Sequence, residues 1–121
     1  CSNSMLKTDK AKVLRQTGAV IHGLDCENGH FNLSEVLNML HNMNFYSILL
    51  ETGSGLAEAF LEDNLIDKFI FIYGAKILGG TKSPFPNLGL SNINQAILLS
   101  DISYRKIEQD LMVIAYPKVI T

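Results

Sequence analysis

Glu51-Thr52-Gly53-Ser54-Gly55 puts a carboxylate, two hydroxyls and two glycines into five consecutive positions. Such a set can hold a molecule that carries phosphate. Amides bared at a helix N-terminus attract anions, and glycines let the main chain come close to one. A second glycine pair, Gly79-Gly80, could lay more backbone against the same ligand. Each feature also has a plain alternative. The first can be a compact strand-to-helix turn, the second a loop hinge. Glu51 can be a solvated strand-end carboxylate or can accept hydrogen bonds from a ligand's hydroxyl or amine groups. The turn is neither GxGxxG nor a Walker A loop, and Ser54 does not sit in GxSxG. An acid that meets a ribose in dinucleotide sites lies well downstream of the glycines, whereas Glu51 precedes them.

The elements around these residues must place them at one edge of a sheet. Ile48-Leu49-Leu50 is an unbroken apolar run, as expected of a strand covered on both faces. Ser54 is the expected N-cap of a helix to about Asp63, with Leu56, Ala57, Phe60 and Leu61 as its buried stripe. Phe69-Ile70-Phe71-Ile72-Tyr73 is aromatic and β-branched, too apolar for a half-exposed edge strand. Strand, helix and strand make a crossover unit and imply parallel neighbours. Both glycine clusters would then lie at the carboxyl edge of that sheet, where open α/β sheets bind ligands.

Upstream, Thr8 or Asp9 caps a helix to about Gln16, and Gly18 follows it as a left-handed C′ residue. Ala19-Val20-Ile21-His22 reads as a strand, and residues 25–29 as a polar turn. Asn32 caps the next helix, with Glu35 completing a capping box and Phe31 and Val36 forming a staple. Val36, Leu37, Leu40 and Met43 give that helix one apolar face, and Asn42 and Asn44 mark its end. Downstream, residues 81–89 form a loop, and Asn92 to Asn94 a helical turn. Residues 96–107 and Leu111 to Tyr116 form an antiparallel hairpin across a tight turn at Glu108-Gln109-Asp110. The fold class is thus α/β, with a mostly parallel sheet ending in an antiparallel hairpin. A sheet beginning at Ala19 is short of strands at one edge, so an N-terminal portion of the fold is expected to be missing.

Composition excludes several classes. With 121 residues, 47% hydrophobic and 18% charged, the chain is one globular domain at most. A formal charge of −2 gives no electrostatic case for nucleic acid or an anionic membrane. No apolar run is long enough to span a bilayer. His22, His30 and His41 lack metal-ligand spacing, so no metal is expected. Cys1 and Cys26 form no CxxC pair, and a reducing, cytoplasmic compartment is the plain reading. Cys1-Ser2-Asn3-Ser4, ahead of Met5, read as a tag remnant, leaving residues 5–121 as the domain proper.

Leu49-Leu50-Glu51-Thr52-Gly53-Ser54-Gly55-Leu56-Ala57, then Phe60-Leu61, Leu65-Ile66-Asp67-Lys68 and Ala75-Lys76-Ile77-Leu78-Gly79-Gly80 resemble one known family. It is the C-terminal reductase domain of the bifunctional riboflavin-biosynthesis deaminase/reductase. The motifs occur in the family's order and separations, over about Lys10 to Pro117. The resemblance implies a dihydrofolate-reductase-like, three-layer α/β/α fold and a homodimer. It implies NADPH-dependent reduction of 5-amino-6-(5-phosphoribosylamino)uracil to its ribityl form, with hydride going to C1 of the opened sugar. By position, Glu51 contacts substrate, while Thr52, Gly53, Ser54, Gly55, Gly79 and Gly80 contact NADPH. Two positions depart from the family: Thr52 stands where glycine or alanine is usual, and Gly55 where threonine is common. The family's zinc deaminase signature is absent, and residues 5–121 correspond to the C-terminal part of the reductase domain. Two other readings stay open: a non-catalytic binding or assembly module of the same fold, and a related pterin or folate reductase.

Overall fold

Helices form where local capping chemistry places them. The computed structural model describes residues 1–79, 83–86 and 88–118. Its α-helices are α1 (Asp9–Gln16), α2 (Leu33–Asn42) and α3 (Ser54–Glu62). Thr8 Oγ1 accepts the Ala11 amide at 3.3 Å to open α1, and Asn32 Oδ1 accepts the Glu35 amide at 3.2 Å to open α2. The N-cap of α3 is Gly53, not the expected Ser54, which is already helical.

All three helices stop in the same way. Gly18, Asn44 and Asn64 follow the C-caps with φ of +88°, +66° and +55°. The next amide then reaches back to the last turn: Ala19 to the Leu14 carbonyl at 3.2 Å, Phe45 to Leu40 at 3.0 Å and Leu65 to Phe60 at 2.9 Å. These are Schellman closures, which satisfy carbonyls that the helix end leaves open. Glycine suits the left-handed position because it has no Cβ, and asparagine because its short polar side chain can hydrogen-bond locally.

The chain comprises two compact units, Cys1–Leu49 and Leu50–Thr121. In the first, β1 (Cys26–Glu27) and β2 (His30–Phe31) pair antiparallel. Their connection is Asn28-Gly29, both with positive φ, at +50° and +82°. That dipeptide is the strongest short hairpin signal, since both residues tolerate the left-handed region. The expected polar turn is therefore a hairpin. The expected strand at Ala19–His22 does not form. A single parallel bridge instead joins Ser2 to Leu24. Residues 1–3 are tied to 22–25: the Asn3 amide donates to the Leu24 carbonyl at 3.1 Å, and Asn3 Nδ2 to Asp25 at 2.7 Å.

The second unit is a three-stranded sheet of β3 (Phe69–Tyr73), β4 (Leu99–Ile107) and β5 (Asp110–Pro117), in the order β3-β5-β4. Both pairings are antiparallel, with Phe69 opposite Ala115 and Tyr73 opposite Leu111. The expected parallel sheet is thus absent from the named strands, and so is the crossover unit. Ile48-Leu49-Leu50 is not a strand, and Leu49 is 72% exposed. A strand exists only where another backbone completes its ladder, so an apolar run is not sufficient. β3 is an edge strand after all. Its Phe69 is buried and its Ile72 is 64% exposed, because β3 has one strand neighbour and packs through one face.

That face carries the core. Phe69, Phe71 and Tyr73 line up along it, with Phe69 and Phe71 stacked at 5.4 Å. Ala115, opposite Phe69, is 1% exposed. Phe60 and Leu61 are the buried apolar residues of α3. Leu61, Phe69, Phe71, Phe85, Leu90 and Leu99 surround an apolar hollow of about 190 Å³. Phe85 meets Phe69 edge-on at 6.2 Å.

The hairpin loop is two residues, Glu108-Gln109, since Ile107 pairs with Asp110, and Glu108 has φ of +54°. A bulge interrupts β4: Asp101 and Ile102 lie between the Ser100–Tyr116 and Ser103–Ile114 pairs and together oppose Ala115. The expected helical turn is present as a 3-10 turn at Ile93–Gln95, capped reciprocally by Asn92 and Gln95.

Gly18→Ala is expected to cost about 1–2 kcal/mol, because alanine must adopt the left-handed region. Ala115→Leu is expected to cost about 1–3 kcal/mol by overpacking against the sheet. Urea unfolding of each variant against the parent measures both.

Candidate functional site

The second unit holds every sequence-predicted site residue. Residues 45–53 run into α3 with no regular secondary structure, and Gly53 is extended at φ −70°, ψ 169°. Glu51, Thr52, Gly53 and Gly55 are exposed, and Ser54 is half-buried. Glu51 therefore stands at the approach to a helix rather than at the end of a strand.

No side chain caps α3. The first bond it closes runs from the Ala57 amide to the Gly53 carbonyl, at 3.3 Å. Among the described residues, the amides of Ser54, Gly55 and Leu56 have no partner. Three bare donors at the positive end of a helix dipole are the chemistry that receives an anion.

The glycines here answer no demand of the fold. Gly53 and Gly55 both lack positive φ, and a Cβ at either would meet nothing within 4 Å. An alanine at either position would meet neither a positive φ nor a neighbouring atom. The two positions flank Ser54 at the start of the helix, beside the amides that have no partner among the described residues.

The second glycine cluster follows β3. The chain leaves Tyr73 through a three-residue turn in which the Lys76 amide reaches the Gly74 carbonyl at 2.7 Å. Asp110 Oδ1 accepts the Ala75 amide at 3.2 Å. Beyond it, Ile77 is 101% exposed and Leu78 nearly so. Gly79 is exposed, also with nothing within 4 Å of a built Cβ. Gly80 lies outside the described residues. Among the described residues, no hydrogen bond joins 51–55 to 74–79.

Two residues escaped the sequence reading. Glu58 is 6% exposed on α3, one turn from the bare amides, whereas the expected core residue Leu56 is exposed. The buried stripe is Glu58, Phe60 and Leu61, flanked by half-buried Ala57 and Ala59. A lone glutamate among apolar residues was the available signal, and its helical spacing to Leu61 places it on the inner side. Asp110 was read only as part of a turn. Its side chain instead spans from the hairpin to the β3 exit.

The histidines and cysteines assemble no centre. His41 meets Tyr46 edge-on at 5.2 Å, and both cysteines are exposed and free. Among the described residues, no three of His, Cys, Asp and Glu converge as metal ligands, and no helix is long and apolar enough to cross a membrane.

The second unit is an α/β unit with an anion-receptive helix start and an exposed exit from β3 at residues 74–79 of an antiparallel sheet. Comparison with known proteins narrows this. The family model described as "RibD C-terminal domain" matches residues 2–113, and the chain belongs to that family. "Riboflavin biosynthesis protein PYRR, chloroplastic" of Arabidopsis thaliana is 34% identical over 84 residues, covering 68% of this chain and 14% of that protein. "Riboflavin biosynthesis protein RibD" of Actinobacillus pleuropneumoniae is 29% identical over 105 residues, covering 85% of this chain and 28% of that one. The solved structure of Acinetobacter baumannii RibD, form 1, superposes with a TM-score of 0.75 at 24% identity, over 89% of this chain and 29% of that chain. The fold is therefore similar to that structure, and the chain spans under a third of the length of these relatives.

Gly55→Ala is expected to stabilise α3 by about 0.5–1 kcal/mol, since alanine is the better helix former and its methyl meets no neighbour. Denaturant unfolding without ligand measures the gain, and a loss of stability would show that the glycine serves packing.

Proposed function

We propose that this chain is part of an NADPH-dependent reductase of riboflavin biosynthesis, acting on 5-amino-6-(5-phosphoribosylamino)uracil and yielding its ribityl form. The observation that carries the reading is the start of α3, where two glycines with ordinary φ and open surroundings adjoin three amides that have no partner among the described residues. Family membership and the names of the riboflavin-biosynthesis relatives support the reaction class. Reduction of the sugar also needs a hydride source, which bound NADPH supplies.

The donor set suits the cofactor's phosphates. In this reading Thr52, Gly53, Ser54 and Gly55 hold a phosphate through main-chain amides and the two hydroxyls. Gly79 and Gly80, having no side chains, let the rest of the dinucleotide come close to the main chain. Glu51 stands next to the phosphate turn and accepts hydrogen bonds from substrate. The chain's own contribution is orientation, with a fixed anion receptor at one end and a carboxylate at the other.

The homodimer, the cytoplasmic setting and the three-layer dihydrofolate-reductase-like arrangement belong to the same proposal. Ile70, Ile72 and Tyr116, exposed on the sheet face that also carries buried Met112, support association. Sedimentation of the chain tests the dimer, and a clean monomer at micromolar concentration counts against it.

NADPH at about a hundredfold excess over its Kd is expected to add about 2.7 kcal/mol of stability, read as a rise in Tm of several degrees. Gly55→Ala should shrink that rise while raising the ligand-free Tm, because its methyl adds bulk next to the amides that receive the phosphate in this reading. A chain whose Tm NADPH leaves unchanged, in a longer native version as well, would remove the cofactor assignment.

A further inference from the structure

We propose that Asp110 is a positioning residue for the dinucleotide, acting through the backbone of the β3 exit; this rests on the cofactor reading of Gly79 in the 74–79 segment. The β3–β5 ladder ends at the Tyr73–Leu111 pair. The antiparallel register would next set Gly74 against Asp110 and Ala75 against Gln109. The chain leaves the ladder there, in the tight turn that joins the Lys76 amide to the Gly74 carbonyl. The amide at the centre of that turn, on Ala75, has lost its strand partner.

Asp110 supplies a new one. Its Oδ1 accepts the Ala75 amide at 3.2 Å, across 35 residues of sequence. The same oxygen lies 3.9 Å from where a Cβ on Gly74 would sit, so the carboxylate reaches past Gly74 to the next residue. Asp110 is half-buried, and its main chain is held by pairing with Ile107 at the base of the hairpin. A fixed hairpin thus grips the first residues of an exposed segment. Ile77, Leu78 and Gly79 beyond it have little else to set their course. A charge-assisted bond of this kind is stronger than a neutral one.

The test uses the full 121-residue chain, with NADPH titrated by its fluorescence and amide exchange followed by mass spectrometry. Asp110→Ala is expected to raise the NADPH Kd about tenfold, the usual scale for one hydrogen bond to a charged group. It should also speed exchange across residues 74–79. Asp110→Asn keeps an acceptor at the same place without the charge and is expected to raise the Kd only about threefold. Equal loss in both variants, or unchanged affinity in Asp110→Ala, would overturn the proposal while leaving the cofactor reading intact. Should Asp110→Ala not fold, the parent alone decides: NADPH must slow exchange at residues 74–79, and binding without that protection overturns the positioning role. A parent that binds no NADPH overturns the cofactor reading itself, and the role of Asp110 with it.

Discussion

β5 sits between β3 and β4, and the bonding of its backbone on both edges is what the second unit depends on. Remove that strand and neither neighbour has a partner, because β3 and β4 do not touch each other in the sheet. Burial follows the same line. Met112 and Ala115, the buried residues of β5, lie on opposite faces of the one strand that has neighbours on both sides. Phe69, the buried residue of β3, lies opposite Ala115. The aromatic row on β3 and the hollow beside it are consequences of that pairing rather than of any property of β3 alone.

The same dependence explains what could be read from the sequence. Helix ends are local chemistry, settled within about four residues, and Thr8, Asn32, Gly18 and Asn44 all announced themselves. Ser54 misled because a serine is a better cap than a glycine, yet the helix begins one residue earlier. Strands are different. Ile48-Leu49-Leu50 has the composition of a buried strand and no ladder, while Phe69 to Tyr73 has the same composition and one neighbour. Nothing in either run states which backbone lies beside it. The hairpin at residues 99–117 was legible because a tight turn supplies the partner in sequence. Asn28-Gly29 carried the same information over a shorter span.

The candidate site was legible in part for a related reason. Its glycines were visible as types, but their meaning came from what the structure leaves around them. Open space and ordinary φ separate a glycine kept for approach from one kept for a turn, and Gly53 and Gly18 fall on opposite sides of that line. Asp110 could not be found by type at all, since one acid at a hairpin base resembles any other until its partner is known. Family membership came from the order of the motifs, which survived even where the secondary structure assigned to them did not.

The bulge in β4 has a consequence for how the strand counts. Tyr104 shares a face with Val113 and Phe71, and Leu99 shares one with Pro117, which lies on the same side. Leu99 and Tyr104 are five residues apart, an odd number, so strict alternation would send them to opposite sides. The additional residue at 101–102 reverses the parity between the two halves of β4. A single-residue deletion there would remove the bulge and leave both halves of β4 paired and facing as they are, whereas the same deletion elsewhere in β4 would shift one half by a residue and turn its side chains over.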